Sequence, residues 1–159
     1  MLKSMSSKKY KQDYKINIIR QHQLCEVNFL RLLQLLPNLA KQDHTCITVN
    51  FGAEQSTQIH FDVKQRAPYT THLRIHIQAD WGNWLTLPDL EIRLYHDVQM
   101  AEVVFSKQSE KLKSQYSYPN PQMYQPNEKE LWNKLLAELL QYVLKGGLIH
   151  EDSLLNFRR

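Results

Sequence analysis

Between Thr45 and Ser106 the sequence alternates apolar and polar residues with a period of two, in five runs, and no helical pattern interrupts them. Ile47, Val49 and Phe51 form the first run, and Ile59, Phe61 and Val63 the second. Leu73, Ile75 and Ile77 follow, then Leu90, Ile92 and Leu94, and finally Ala101, Val103 and Phe105. Successive side chains of a strand point to opposite faces, so each run reads as a strand with one apolar and one polar face. Parallel neighbours need long crossover connections, usually helical, and none lies between these runs. The sheet is therefore expected to be mostly antiparallel, with its apolar face left for a helical layer.

Helical periodicity flanks the sheet on both sides. From about His22 to Leu36, residues Cys25, Phe29, Leu32 and Leu36 recur at i, i+4, i+7 and i+11, one stripe of a helix. Pro37 stops it, because proline lacks the N–H and disfavours helical geometry in the residue before it. A second helix is predicted from about Glu128 to Lys145, with Asn127 and Glu130 at capping-box spacing. Leu131, Leu135, Leu139 and Tyr142 lie along one side of it, and Trp132, Leu136 and Val143 widen the stripe. Gly146 is placed to close it in a left-handed cap.

The polar segment Lys107 to Pro126 has room for one more edge strand near Leu112–Tyr118 before prolines hold it extended. Its tyrosines, with Trp81 and Trp84 in an earlier turn-rich loop, read as lids over the core edge or as the lining of a pocket or interface. The expected fold is α+β: a single mostly antiparallel sheet of about five or six strands with an N-terminal and a C-terminal helix packed on its apolar face. Residues 1–21 read as a basic, mobile arm, 22–147 as the single α+β domain, and 148–159 as a loosely attached tail.

At 159 residues the chain is long enough to bury roughly 70% of its unfolded surface without disulfide or metal staples. Cys25 and Cys46 form no Cys-x-x-Cys pair, and both read as small buried hydrophobes. No apolar leader follows Met1 and no run approaches 18 apolar residues, so the expectation is a cytoplasmic protein with no membrane contact. The net charge of +4 is concentrated at the start of the chain. Lys3, Lys8, Lys9, Lys11, Lys15 and Arg20 face Asp13 alone in the first 20 residues, leaving fourteen of the twenty basic groups against fifteen of the sixteen acidic ones elsewhere. Nucleic acid is thus not an expected partner except through the arm.

Whole classes of chemistry are disfavoured. With glycine only at 52, 82, 146 and 147, no glycine loop can cradle phosphates. Neither a Gly-x-Ser-x-Gly elbow nor a His-Glu-x-x-His helix is present. No catalytic residue is assigned, and no cofactor is implied. His60, His72 and His76 take outward positions on neighbouring strands, a set that could suit zinc. A solvated polar face accounts for them more simply, and no metal is assigned.

The candidate contact surface is the hairpin of residues 90–105. A loop at 97–100 pairs His96 with Ala101, Tyr95 with Glu102 and Leu94 with Val103, leaving Arg93 diagonal to Glu102. Arg93, Tyr95, Asp97 and Glu102 then share the outer face, where the guanidinium can meet a phosphate or carboxylate with two hydrogen bonds. The plain alternative is an internal Arg93–Glu102 ion pair capped by Tyr95. The absence of an Asn-Gly turn leaves the register poorly fixed, and a one-residue slip is expected to disperse the cluster.

Several stretches resemble the YqiB-like family of small bacterial proteins of unknown function. They are Leu24 to Phe29, Leu35-Leu36-Pro37, Tyr69-Thr70-Thr71, Leu87-Pro88, Arg93 to Asp97 with Ala101-Glu102-Val103, Tyr118-Pro119-Asn120, and Glu128-Lys129. In order and spacing they span about residues 24–147. The resemblance implies a cytosolic bacterial protein without an assigned activity, whose genes tend to lie near those of nucleotide-cleaving enzymes. It carries no catalytic residue over, and it alone adds Tyr118 and Asn120 to the surface.

The expected function is a non-enzymatic binding or regulatory module. Its contact residues are Arg93, Tyr95, His96, Asp97 and Glu102 with Tyr118 and Asn120, and its partner is an unknown protein or a small phosphorylated ligand. One alternative is a small enzyme acting on a nucleotide or phosphorylated metabolite, using Arg93 for charge and a carboxylate or His96 for proton transfer. The other is weak nucleic-acid attachment through the basic arm.

Overall fold

The computed structural model describes residues 17–51, 55–79, 89–104 and 128–149. In chain order they form α1 (Ile18–Leu35), β1 (His44–Phe51), β2 (Gln55–Arg66), β3 (Thr70–Ala79), β4 (Leu90–Tyr95), β5 (Met100–Val104), α2 (Glu128–Gly146) and β6 (Gly147–Ile149). The strands make one antiparallel sheet in the order β5-β4-β3-β2-β1-β6. Both helices lie on its apolar face, giving the expected α+β architecture. The two tryptophans of the 80–84 loop, the proposed edge strand near 112–118, Tyr118, Asn120 and Asn127 lie outside the described residues. Neither described helix is long and apolar enough to cross a membrane.

The alternation in the sequence translates directly into burial. Ile47, Val49, Ile59, Phe61, Leu73, Ile75, Leu90, Ile92, Leu94, Ala101 and Val103 all point inward and are buried. They meet Phe29, Leu32, Leu35 and Leu36 of the α1 region, and Leu136, Leu140 and Val143 of α2. At about 1.5–3 kcal/mol for each fully buried aliphatic side chain, this layer is the main source of stability.

Several boundaries differ from the expectation. α1 begins at Ile18, not near His22, because the Asn17 side chain accepts a hydrogen bond from the Arg20 N–H at 3.1 Å and caps the first turn. Residues 18–21 therefore belong to the helix and not to the basic arm, whose first 16 residues lie outside the described set. Gly146 stays within α2 without a left-handed turn, and a methyl group there would meet Val49 Cγ1 at an ordinary 3.5 Å. Leu148 and Ile149, assigned to the tail, pair with Thr48 and Ile47. The physical reason is the open edge of β1, whose unpaired backbone groups take a short sixth strand.

The α2 stripe is also rotated. Leu131, Leu135 and Tyr142, expected inward, are 52%, 42% and 37% exposed, while Asn133 is fully buried with Leu136, Ala137, Leu140 and Val143. Asn133 is inside because its Oδ1 accepts the Val103 N–H at 2.9 Å, closing a backbone donor on edge strand β5. Its Nδ2 donates to Lys129 O at 3.0 Å, and its own carbonyl accepts from Asn28 Nδ2 at 3.1 Å. A second polar brace closes the sheet's other end. Arg66 donates from Nε and Nη2 to Leu39 O and from Nη2 to Gln42 O, and it pairs with Asp43. These bonds tie the α1–β1 connection to the end of β2.

Candidate anion-binding site

The hairpin that carries the candidate residues turns one position earlier than expected. Its loop is His96–Gln99, with Gln99 in the left-handed region at φ 55°, and Tyr95 pairs with Met100. Leu94 therefore faces Ala101, Arg93 faces Glu102 and Ile92 faces Val103. Both registers leave every side chain on the same face, so hydrophobic alternation cannot separate them. The cluster is not dispersed; Arg93 and Tyr95 simply exchange places relative to Glu102.

That exchange decides who pairs with whom. Tyr95, now diagonal to Glu102, donates its hydroxyl hydrogen bond to Glu102 Oε1 at 2.9 Å. Lys129, from the first turns of α2, reaches Glu102 Oε2 at 2.7 Å. With both carboxylate oxygens engaged, the expected Arg93–Glu102 ion pair does not form. Arg93 stands beside the Tyr95 hydroxyl instead, where it opposes the rise in the phenol's pKa. Partial burial, then the Glu102 bond and charge, raise the Tyr95 pKa, so the phenol remains a donor at neutral pH. Among the described residues no carboxylate lies within ion-pair distance of Arg93. A guanidinium carries five N–H donors, so most of this fork is available.

Beside the fork lies a recess of about 190 Å³ lined by Gln65, Thr70, His72, Arg93 and Tyr95. Thr70 and His72 on β3 stand directly opposite Tyr95 and Arg93, and Gln65 on β2 stands opposite His72. A bulge between Val63 and Gln65 brings Gln65 into that row. His72 Nε2 is buried and lacks a hydrogen-bond partner, its nearest carboxylate being Glu91 at 3.5 Å. The recess thus offers donors from three strands and one unsatisfied imidazole nitrogen. Its volume suits a phosphate or carboxylate head group, being below the roughly 300 Å³ at which whole-ligand pockets begin.

Not every predicted residue joins this site. His96 turns to the opposite, helical side, where its Nε2 lies 2.8 Å from Thr71 Oγ1 and its ring meets Phe29 edge-on at 5.9 Å. It closes the end of the core and cannot serve the outer face. Asp97 is exposed in the turn. Gln65, Thr70, His72 and Lys129 were not assigned to the site from sequence. The outward positions of the three sheet residues were readable from alternation, but their adjacency depends on register.

The three histidines considered for zinc also separate. His60 and His76 are direct partners on β2 and β3, while His72 sits apart beside Arg93. Among the described residues no group of three or more His, Cys, Asp or Glu side chains could hold a metal ion. Partial burial, then the neighbouring His44 and His76 rings, lower the His60 pKa against the opposing effects of Asp62 and Gln78.

Neither cysteine reads as a nucleophile. Burial, reinforced by the charge of Glu102 and opposed by Lys129, pushes the Cys25 thiol up to about 11. Burial also raises the Cys46 pKa, though that residue is only half-buried. At pH 8 a disulfide-exchange reagent should label native Cys46 slowly and Cys25 only on unfolding. The Cys46→Ser protein should accordingly stay almost unlabelled until denaturant is added. Rapid labelling of Cys25 in the native state would contradict this packing.

Comparison with known proteins places the chain in a family. The model of a family described as a protein of unknown function, DUF1249, matches residues 31–149, which include every residue lining the recess. The chain belongs to the DUF1249 family. Among its relatives are the proteins named uncharacterized protein YqiB in Escherichia coli strain K12 and in Escherichia coli O157:H7. Each is 36% identical over 124 residues, covering 78% of this chain and 86% of the relative. The same figures hold for YqiB of strain CFT073. No solved structure matches the chain. DUF1249 membership thus confirms the expected YqiB-like bacterial resemblance and brings no activity with it.

Proposed function

We propose that this DUF1249 protein is a non-enzymatic binding module that takes a small phosphorylated ligand on the outer face of β2, β3 and β4. The observation that carries this reading is the Arg93 fork, which has no carboxylate partner among the described residues. Glu102 stands directly across from it in register yet is occupied by Lys129 and Tyr95, so the guanidinium opens on the recess. A phosphate there would accept two hydrogen bonds from Arg93, with Thr70, Gln65 and His72 as further partners. The rest of the ligand would lie along the sheet. The larger cleft of about 430 Å³ between α1 and α2 is less suited to an anion. Its Arg31 donates to Ala137 O at 2.7 Å and its Lys134 pairs with Glu130 at 2.8 Å.

The enzymatic alternative is weaker on chemical grounds. His96, its proposed proton carrier, is on the other side of the sheet, and Glu102 is held by a lysine and a phenol. A thermal-shift panel of nucleotides, sugar phosphates and inorganic phosphate tests the proposal. A ligand at one hundred times its Kd stabilises by about 2.7 kcal/mol, raising the melting point by roughly 5–10 °C in a domain of this size. Arg93→Ala should abolish that shift without changing the unliganded melting point. No shift with any phosphorylated compound would sink the small-ligand reading and turn attention to a macromolecular partner.

A further inference from the structure

The Glu102 carboxylate lies between two cations, Arg93 across the sheet and Lys129 on α2. Arg93 stands directly opposite Glu102 in the β4–β5 register, so their Cβ atoms are about 5 Å apart, within reach of an ion pair. Lys129 comes from the first turn of α2, in the helical layer, and meets Glu102 Oε2 at 2.7 Å beside edge strand β5. Its backbone is fixed there as well. Asn133 Oδ1 accepts the Val103 N–H at 2.9 Å, while Asn133 Nδ2 donates to Lys129 O at 3.0 Å. Residues 102 and 103 of β5 are thus joined to residues 129 and 133 of α2 in one closed set of polar bonds.

We propose, resting on the phosphorylated-ligand reading of the recess, that Lys129 is a positioning residue that keeps that site open by holding Glu102 away from Arg93. A carboxylate can take two parallel hydrogen bonds from a guanidinium, the same donors that a phosphate needs. Here one Glu102 oxygen takes the Tyr95 hydroxyl at 2.9 Å and the other takes the Lys129 ammonium. Without Lys129, Oε2 turns to its cross-strand cation, and Arg93 is closed to a ligand by an internal competitor. Lys129 is not among the residues lining the recess, so it acts through Glu102 and not on the ligand. Helix ends open more readily than the core of a fold, so release of the first turn of α2 closes the site in the same way.

The test is a titration of the full chain with inorganic phosphate at pH 7.5, followed by NMR, for Lys129→Met, Lys129→Arg, Glu102→Gln and the Lys129→Met/Glu102→Gln double variant. Lys129→Met should weaken phosphate binding roughly ten-fold, and Lys129→Arg, which keeps the pair, should recover most of that loss. Glu102→Gln should tighten binding, because the competing carboxylate is gone. In that background Lys129→Met should change the affinity by less than about two-fold. A lysine that merely adds positive charge would weaken binding equally in both backgrounds, and that result would overturn the proposal. Wild-type affinity in Lys129→Met would do the same. Lys129 is half-exposed and methionine is a good helix former, so the variant keeps its fold.

A second readout needs no ligand. The side-chain N–H protons of Arg93 should exchange with water more slowly in Lys129→Met than in the wild type, and the difference should vanish in the double variant. Equal exchange in wild type and Lys129→Met would overturn the positioning role even if phosphate binds. Wild-type protein that ignores phosphate while the exchange difference appears would sink the ligand reading and leave the role of Lys129 standing.

Discussion

Phe61→Ala should destabilise the protein by about 3–5 kcal/mol, the largest effect expected of a single truncation here. Phe61 is the largest of the fully buried side chains and sits on β2, between Thr45 of β1 and Ile75 of β3. Its neighbours belong to a rigid sheet whose register is pinned on both sides, so the cavity can collapse only in part. Urea unfolding should show a lower midpoint with an unchanged slope, and the melting point should fall by roughly 10 °C or more. A loss below about 1 kcal/mol would mean that Phe61 is not in the core described.

Asn133→Ala should cost about 2–3 kcal/mol despite removing a polar side chain from an apolar stripe. The alanine variant leaves the Val103 N–H buried without an acceptor, and a desolvated backbone donor is expensive to orphan. It also loosens α2 against β5, where Lys129 meets Glu102. Leu135→Ala is the informative control, since Leu135 is largely exposed on the same helix and should change stability by no more than about 0.5 kcal/mol. If Leu135→Ala were the more damaging of the two, the stripe expected from sequence would be the true core face.

These two residues also show what was legible in the sequence. Phe61 was readable because strand alternation is a parity signal that survives any local error of register. Of the inward set on β1 to β5, every described side chain is buried except Val63 and Ile77, which are partly buried, and the predicted elements keep their order with β6 added. Asn133 was not readable. A polar residue in the middle of a helical stripe pushes a hydrophobicity pattern one position aside, toward Leu131 and Leu135. Only the β5 edge, a tertiary feature, explains why the asparagine is inside.

The candidate site follows the same division. Arg93, Tyr95 and Glu102 were placed on one face by alternation, and the structure brings them together. Their pairing was not legible, because loops at 96–99 and 97–100 satisfy the same pattern. His96 is counted among the contact residues, yet it shares the inward parity of Ile92 and Leu94 and turns back onto Phe29. Thr70, His72 and Gln65 come from two other strands, and sequence spacing gave no means of aligning them with Arg93. Lys129 belongs to a helix whose N-terminal turns meet β5 only in the folded protein.

The most direct test of the central claim is a titration of the isotope-labelled protein with inorganic phosphate, followed by amide and side-chain NMR shifts. Binding at the Arg93 recess predicts saturable shifts at Thr70, His72, Arg93 and Tyr95, all lost in Arg93→Ala. Shifts confined to Arg20, Arg31 and Lys134 between the helices, or none at millimolar phosphate, would contradict it.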